Sequence, residues 1–260
     1  MNTFHLQDLD AHLFYHDLPG IKPALVMLHG LGSASSSWYP RAAAHPRLRD
    51  HRALLIDLLG YGYSDRPSNH DYSMESQAAH VASLLDHLQL GSCVVIGHSM
   101  GGSIAILLAD SRPDLVSHLI VAEGNLDPGP GFVSGRIVSV SEQEFTTFKY
   151  AQFYQQMHDA GYHDYAGTVR SSDPLCLYRS AASLIAGRTP TYRERFYAAA
   201  MPRTFLFGER TLPDPDEHLL RERGVDVRIV PGASHDMMGD NPDGFALAVA
   251  DAIAAVSRES

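Results

Sequence analysis

The rhythm of apolar and polar positions changes several times along the chain. Phe4 to Asp17 alternates, with Phe4, Leu6, Leu13 and Tyr15 apolar around the turn Asp8-Leu9-Asp10, which predicts an antiparallel hairpin at a sheet edge. Ala24 to Leu28 is apolar without interruption, as a strand buried on both faces should be. Arg52 to Ile56, Cys93 to Ile96 and Leu115 to Ala122 read the same way. Between them, Tyr72 to Leu90 places Ala78, Val81, Leu84, Leu85 and Leu88 at helical spacing, with Ser73 as N-cap and Gly91 as the stop. A further helix is expected over Ser103 to Asp110. Strands alternating with helices predict a mostly parallel sheet covered on both faces.

After Glu123-Gly124 the rhythm breaks. Asn125 to Phe132 holds the Gly/Pro run Asp127-Pro128-Gly129-Pro130-Gly131. Helical patterns follow over Ser141 to Ala160, Asp173 to Ala186 and Tyr192 to Ala200, and no strong strand signal lies between Gly131 and Ala200. Sheet character returns at Arg203 to Glu209. A helix over Pro215 to Arg223, a strand over Val225 to Val230 and a last helix from Asn241, with Pro242 at its first position, complete the pattern. The expectation is an α/β core of eight strands from residues 1–124 and 201–260, with residues 125–200 inserted as a helical cap.

Composition narrows the function classes. Hydrophobic content of 45% against 19% charged residues is enough to build a core, so the chain is not a disordered one. A formal net charge of −10 disfavours nucleic acid and anionic membrane surfaces as partners. The two cysteines, Cys93 and Cys176, fall in different elements and are expected to be free buried thiols. No basic and apolar leader opens Met1 to Leu13, and no apolar run reaches membrane-spanning length, so the expected setting is cytoplasmic.

The candidate chemistry centres on Gly97-His98-Ser99-Met100-Gly101, a G-x-S-x-G pattern between a strand and a helix. Ser99 would occupy a strained turn, and Gly97 and Gly101 would remove the clashes that larger neighbours bring. The helix start beneath Ser99 would aim unpaired N–H groups at a reacting oxygen. His12-x-x-x-His16 has no third ligand near it in sequence and is not expected to hold a metal.

Four motifs in order carry a resemblance: His29-Gly30-Leu31-Gly32, Asp57-x-x-Gly60-x-Gly62-x-Ser64, the motif around Ser99, and Gly232-x-Ser234-His235. Together they resemble an α/β-hydrolase with a helical cap, over the whole chain. The resemblance implies Ser99 as nucleophile, His235 as base, and the N–H groups of Met100 and Leu31 as an oxyanion hole, with no cofactor. The glycine loop from Gly60 to Ser64 is then a structural turn.

The acid departs from the family pattern. Gly208-Glu209-Arg210-Thr211 places a threonine where that pattern has Asp. Three residues compete: Glu123 at the end of an apolar strand, as in some dehalogenases and lactone-cleaving members, Asp214 in a longer loop, and Asp127. A buried Glu123 would need a partner such as His235, whereas Asp214 also reads as a helix N-cap.

A serine in place of the Asp nucleophile of haloalkane dehalogenases and epoxide hydrolases points to acyl carbonyl substrates. The expected activity is hydrolysis of a small apolar carboxylic ester or lactone through an acyl-enzyme. Carbon–carbon hydrolysis of a diketone and a low-turnover ligand receptor are the alternatives, with a hydroxynitrile lyase or cofactor-free peroxidase more distant. Trp38, Phe145, Phe148, Phe153 and Tyr154, with Tyr150 and Tyr178 nearby, are the candidate substrate walls.

Overall fold

The computed structural model describes residues 1–259. Eight strands form one sheet: β1 (Asn2–Leu6), β2 (Ala11–Leu18), β3 (Lys22–Leu28), β4 (His51–Asp57), β5 (Cys93–His98), β6 (Val116–Ala122), β7 (Arg203–Gly208) and β8 (Asp226–Val230). Their spatial order is β1-β2-β4-β3-β5-β6-β7-β8. β2 runs antiparallel to both β1 and β4, and every pairing from β4 through β3 to β8 is parallel. The expected hairpin is thus β1–β2, turned by a short helical segment, Gln7–Leu9, with Asp10 in the left-handed region at φ 47°.

The uninterrupted apolar runs have a simple cause. In β3, Val26 and Leu28 point to one face while Leu25 and Met27 point to the other, and both faces are buried. One face is covered by α1 (Met74–His87) and α2 (Met100–Ser111). The other is covered by residues around Tyr39 and by α9 (Pro242–Glu259), through Phe245 and Val249. Ser73 caps α1 as expected, its hydroxyl accepting from the Ser76 N–H.

Between β6 and β7 the described residues form helices and no strand: α3 (Phe132–Ile137), α4 (Tyr150–Asp159), α5 (His163–Arg170), α6 (Pro174–Ala186) and α7 (Tyr192–Ala198). Two features differ from the sequence expectation. The helix over Ser141 to Ala160 is interrupted by a wider turn at Phe145–Lys149, where the Thr146 hydroxyl bonds back to the Glu142 carbonyl at 2.9 Å. Two short helices, α3 and α5, occupy segments of the helical insertion to which the sequence pattern assigns no element of their own. After β7, α8 (Pro215–Glu222) precedes β8.

The loops that follow β3, β5, β6, β7 and β8 all leave the carboxyl edge of the sheet. The strand order places β3 and β5 side by side with β4 on the outer flank, so successive connections run to opposite sides of β3. That is where open parallel sheets form their crevices.

Candidate active site

Ser99 sits between β5 and α2 with φ 52° and ψ −120°, a conformation that a residue with a side chain rarely adopts. Its N–H is held by the Ala122 carbonyl at 2.9 Å. The turn closes only because its neighbours lack side chains. A Cβ on Gly97 would overlap the Gly101 carbonyl, and one on Gly101 would overlap the Leu28 carbonyl. Helix α2 begins at Met100, three residues earlier than the apolar pattern suggests, so the Met100 N–H lies in the first turn with no carbonyl a turn below it.

The loop after β3 faces this turn. The Gly30 carbonyl accepts from the His29 Nδ1–H at 2.8 Å and from the Ser33 N–H at 3.1 Å. His29 Nε2 accepts from the Leu58 N–H at 3.0 Å, which leaves the ring neutral with its proton on Nδ1. Burial, ahead of the opposing effects of Asp57 and Gly30, lowers the His29 pKa. Fixing the Gly30 carbonyl also fixes the direction of the Leu31 N–H, which belongs to the same planar peptide unit.

Glu123 follows β6, and its own N–H bonds to the Leu206 carbonyl of β7 at 3.0 Å. Its carboxylate is buried and has three donors: His235 Nδ1 at 2.7 Å on Oε2, the Gly208 N–H at 2.8 Å and the Thr211 hydroxyl at 2.5 Å on Oε1. Burial alone would raise its pKa, but these donors outweigh burial and hold it below the usual value. The charged carboxylate therefore requires the His235 proton on Nδ1, leaving Nε2 as the free lone pair. Burial works against a charged His235, yet the bond to Glu123 and its charge prevail, and the His235 pKa is raised. His98 holds the other side, donating from Nε2 to the His235 carbonyl at 2.9 Å. Burial, followed by the neighbouring His235, pushes the His98 pKa down to about 3, so that ring stays neutral.

The other acid candidates have different partners. Asp214 caps α8, accepting from the Asp216 N–H at 2.8 Å. Asp127 is bound by the Arg193 guanidinium, with Nη2 2.5 Å from its carboxylate. Thr211, at the position where the family pattern has Asp, donates its hydroxyl to the carboxylate of Glu123. That role was not foreseen, although the Gly208-x-x-Thr211 spacing marks the position.

Ser99, His98, His235, Leu31 and Thr211 line one cavity of about 440 Å³. Its other walls are Asn125, Phe132, Val133, Ser134, Met157, Tyr162, Tyr165, Leu184, Ser234 and Asp236, with Gly30, Ser33 and Gly131. None of the five aromatic wall candidates is among these residues. Trp38 packs against Gly239 and lines a separate groove, because the short helix Ser35–Trp38 carries it toward the Phe245 face of the sheet. Phe145 and Phe153 are buried against one another, with ring centroids 6.2 Å apart, and form the core of the helical segment. Phe148 is 66% exposed. Tyr154 lies under the Arg170 guanidinium at 5.8 Å.

The upper walls of this cavity come largely from helix α3 and from the start of α5. Their signal was present in the chain: Tyr162, Tyr165, Ala166 and Val169 recur at helical spacing. Tyr165 also joins the two layers, its hydroxyl donating to the Leu31 carbonyl at 3.0 Å.

Chemically, this arrangement can pass a proton between a serine hydroxyl and an imidazole backed by a carboxylate, with backbone N–H groups beside the serine. Among the described residues no group of three or more His, Cys, Asp or Glu is placed to hold a metal ion.

Comparison with known proteins agrees with this architecture. The sequence profile of the alpha/beta hydrolase fold matches residues 23–209. The mouse (Mus musculus) protein named sn-1-specific diacylglycerol lipase ABHD11 is 30% identical over 273 aligned positions, covering 97% of this chain and 85% of that protein. A thermophilic esterase from Thermogutta terrifontis superposes with a TM-score of 0.76 at 21% identity, over 95% of this chain and 94% of that one. The N-acyl homoserine lactonase AidH, solved with N-butanoyl homoserine, superposes with a TM-score of 0.74 at 18% identity, over 97% and 96% of the two chains. At such identities these two structures speak for the fold alone. With the profile running from β3 through β7 and a relative aligned along nearly its whole length, the chain belongs to the alpha/beta hydrolase fold family.

Proposed function

We propose that this hydrolase cleaves carboxylic esters, lactones among them, through an acyl-enzyme on Ser99. The observation that carries the reading is the 2.7 Å contact between Glu123 and the Nδ1 of His235, a residue that lines the same cavity as Ser99. His235 Nε2 takes the Ser99 proton as Oγ attacks the carbonyl carbon. The oxygen of the tetrahedral intermediate takes up the negative charge and is met by the Met100 and Leu31 N–H groups. Collapse breaks the bond to the alkoxy oxygen, which leaves with the proton from His235. A water molecule, deprotonated by His235, then attacks the acyl carbon, and Ser99 departs with its proton restored.

Glu123 remains charged throughout and stabilises the imidazolium. The helical segment from α3 to α7 serves as the cap in this reading, and its walls favour small apolar acyl groups. The relatives' names support the choice of esters: one is called a diacylglycerol lipase, another an esterase and a third a lactonase.

Initial rates on short-chain aryl esters test this, with Ser99→Ala as the blank. Turnover by the wild type and a loss of roughly 10⁴-fold or more in the variant are expected. A folded wild type that leaves these esters and the corresponding lactones intact overturns the reading.

A further inference from the structure

The cavity holds an uneven distribution of charge. No lysine or arginine is among the described residues that line it, whereas Asp236 is. Asp236 directly follows His235 and, unlike Glu123, accepts no side-chain hydrogen bond from the protein among the described residues. It begins the short helix Met237–Asp240 without capping it through its side chain. Burial raises its pKa, Asp240 and Glu123 add to the rise, and His235 opposes it. Its charge also bears on Tyr165 across the cavity. Arg136 and Lys149 line a neighbouring groove that meets the cavity at Gly131 and Phe132, and Arg136 packs over the Phe132 ring at 4.9 Å.

We propose that the cavity admits uncharged acyl groups and turns away carboxylated ones, with Asp236 setting this preference. The inference deepens the ester-hydrolase reading and rests on it for the position of the acyl group beside Ser99. A second carboxylate in the same small space meets an uncompensated negative charge and finds no cation to pair with. In a site only partly open to water that repulsion is worth more than in bulk water. The same charge acts on the product. Hydrolysis turns a neutral ester into a carboxylate within the cavity, and Asp236 then favours its departure.

The test compares two aryl esters of nearly the same shape, p-nitrophenyl pentanoate and mono-p-nitrophenyl glutarate, at about pH 8, well above the ordinary carboxylate range. The wild type is expected to prefer the pentanoate by roughly ten- to a hundredfold in kcat/KM. Asp236→Asn keeps the shape and removes the charge, and should narrow the ratio to within about threefold. Calorimetric binding of both esters to Ser99→Ala should give the same order. Equal handling of the two esters by the wild type, or a ratio that Asp236→Asn leaves unchanged, overturns the proposal. If Ser99→Ala still hydrolyses the pentanoate, the serine reading fails. The order in which the two esters bind then still decides this one.

Discussion

Two layers enclose the same cavity and reach it by different physics. The lower layer is the carboxyl edge of the sheet, where Ser99, Glu123, Thr211 and His235 stand on short loops after β5, β6, β7 and β8. The upper layer is the helical segment between β6 and β7, which supplies Phe132, Val133, Met157, Tyr162, Tyr165 and Leu184. Each position below answers to a strict local need: a glycine where backbones touch, a carboxylate where an imidazole waits. Above, any apolar side chain that faces downward would do. The lower layer is therefore written in motifs and the upper one only in helical phase.

The largest effect should come from the carboxylate below. Glu123→Ala is expected to lower kcat by roughly 10³- to 10⁴-fold, because His235 would lose the partner that holds its tautomer and stabilises its charge. Asp214→Ala should leave kcat within about threefold and cost only about 1 kcal/mol of stability as a lost N-cap. The reverse pattern in ester kinetics would return the acid to the loop after β7. Because Thr211 already touches the Glu123 carboxylate, the double variant Glu123→Ala/Thr211→Asp should recover roughly tenfold or more over Glu123→Ala alone.

This contrast shows what was legible in the chain. The strand and helix order, the turn at Ser99 and the position of His235 could be read because buried parallel strands and glycine-bounded turns leave unbroken patterns. Glu123 could be singled out because a carboxylate closing an apolar strand demands a partner. The aromatic walls could not. Phe145 and Phe153 have the composition of a substrate pocket, but their helices turn them toward each other, and only the packing of the segment decides that. Helices α3 and α5 were missed because each is short and follows glycine, at Gly131 and Gly161, so local signals favoured loop.

The next effect separates core from wall in the upper layer. Phe145 is fully buried and touches Tyr150, Phe153 and Tyr178. Phe145→Ala should cost about 3–5 kcal/mol in urea unfolding if the segment unfolds together with the sheet. Met157→Ala, on the cavity wall, should instead raise KM for short acyl esters by roughly three- to tenfold, in line with the transfer energy of a few methylenes. A Phe145→Ala protein of unchanged stability with a raised KM would restore Phe145 as a wall.

The smallest effect is at Thr211, and its sign is fixed by the bonds around Glu123. Thr211→Val removes a hydrogen bond to the charged carboxylate, so the Glu123 pKa must rise. Without the Thr211 hydroxyl the carboxylate is more basic and accepts more strongly from Nδ1–H, so the raised pKa of His235 must rise further. His235 acts as a base only when neutral, and the acid limb of kcat/KM follows its pKa in the free enzyme. The variant should therefore lose its activity at a higher pH than the wild type, while its plateau drops by roughly three- to tenfold. A purely structural threonine would lower the plateau without moving the limb. Thr211→Ser retains the hydroxyl and should restore both the limb and the plateau, which separates the hydrogen bond from the space that the side chain fills.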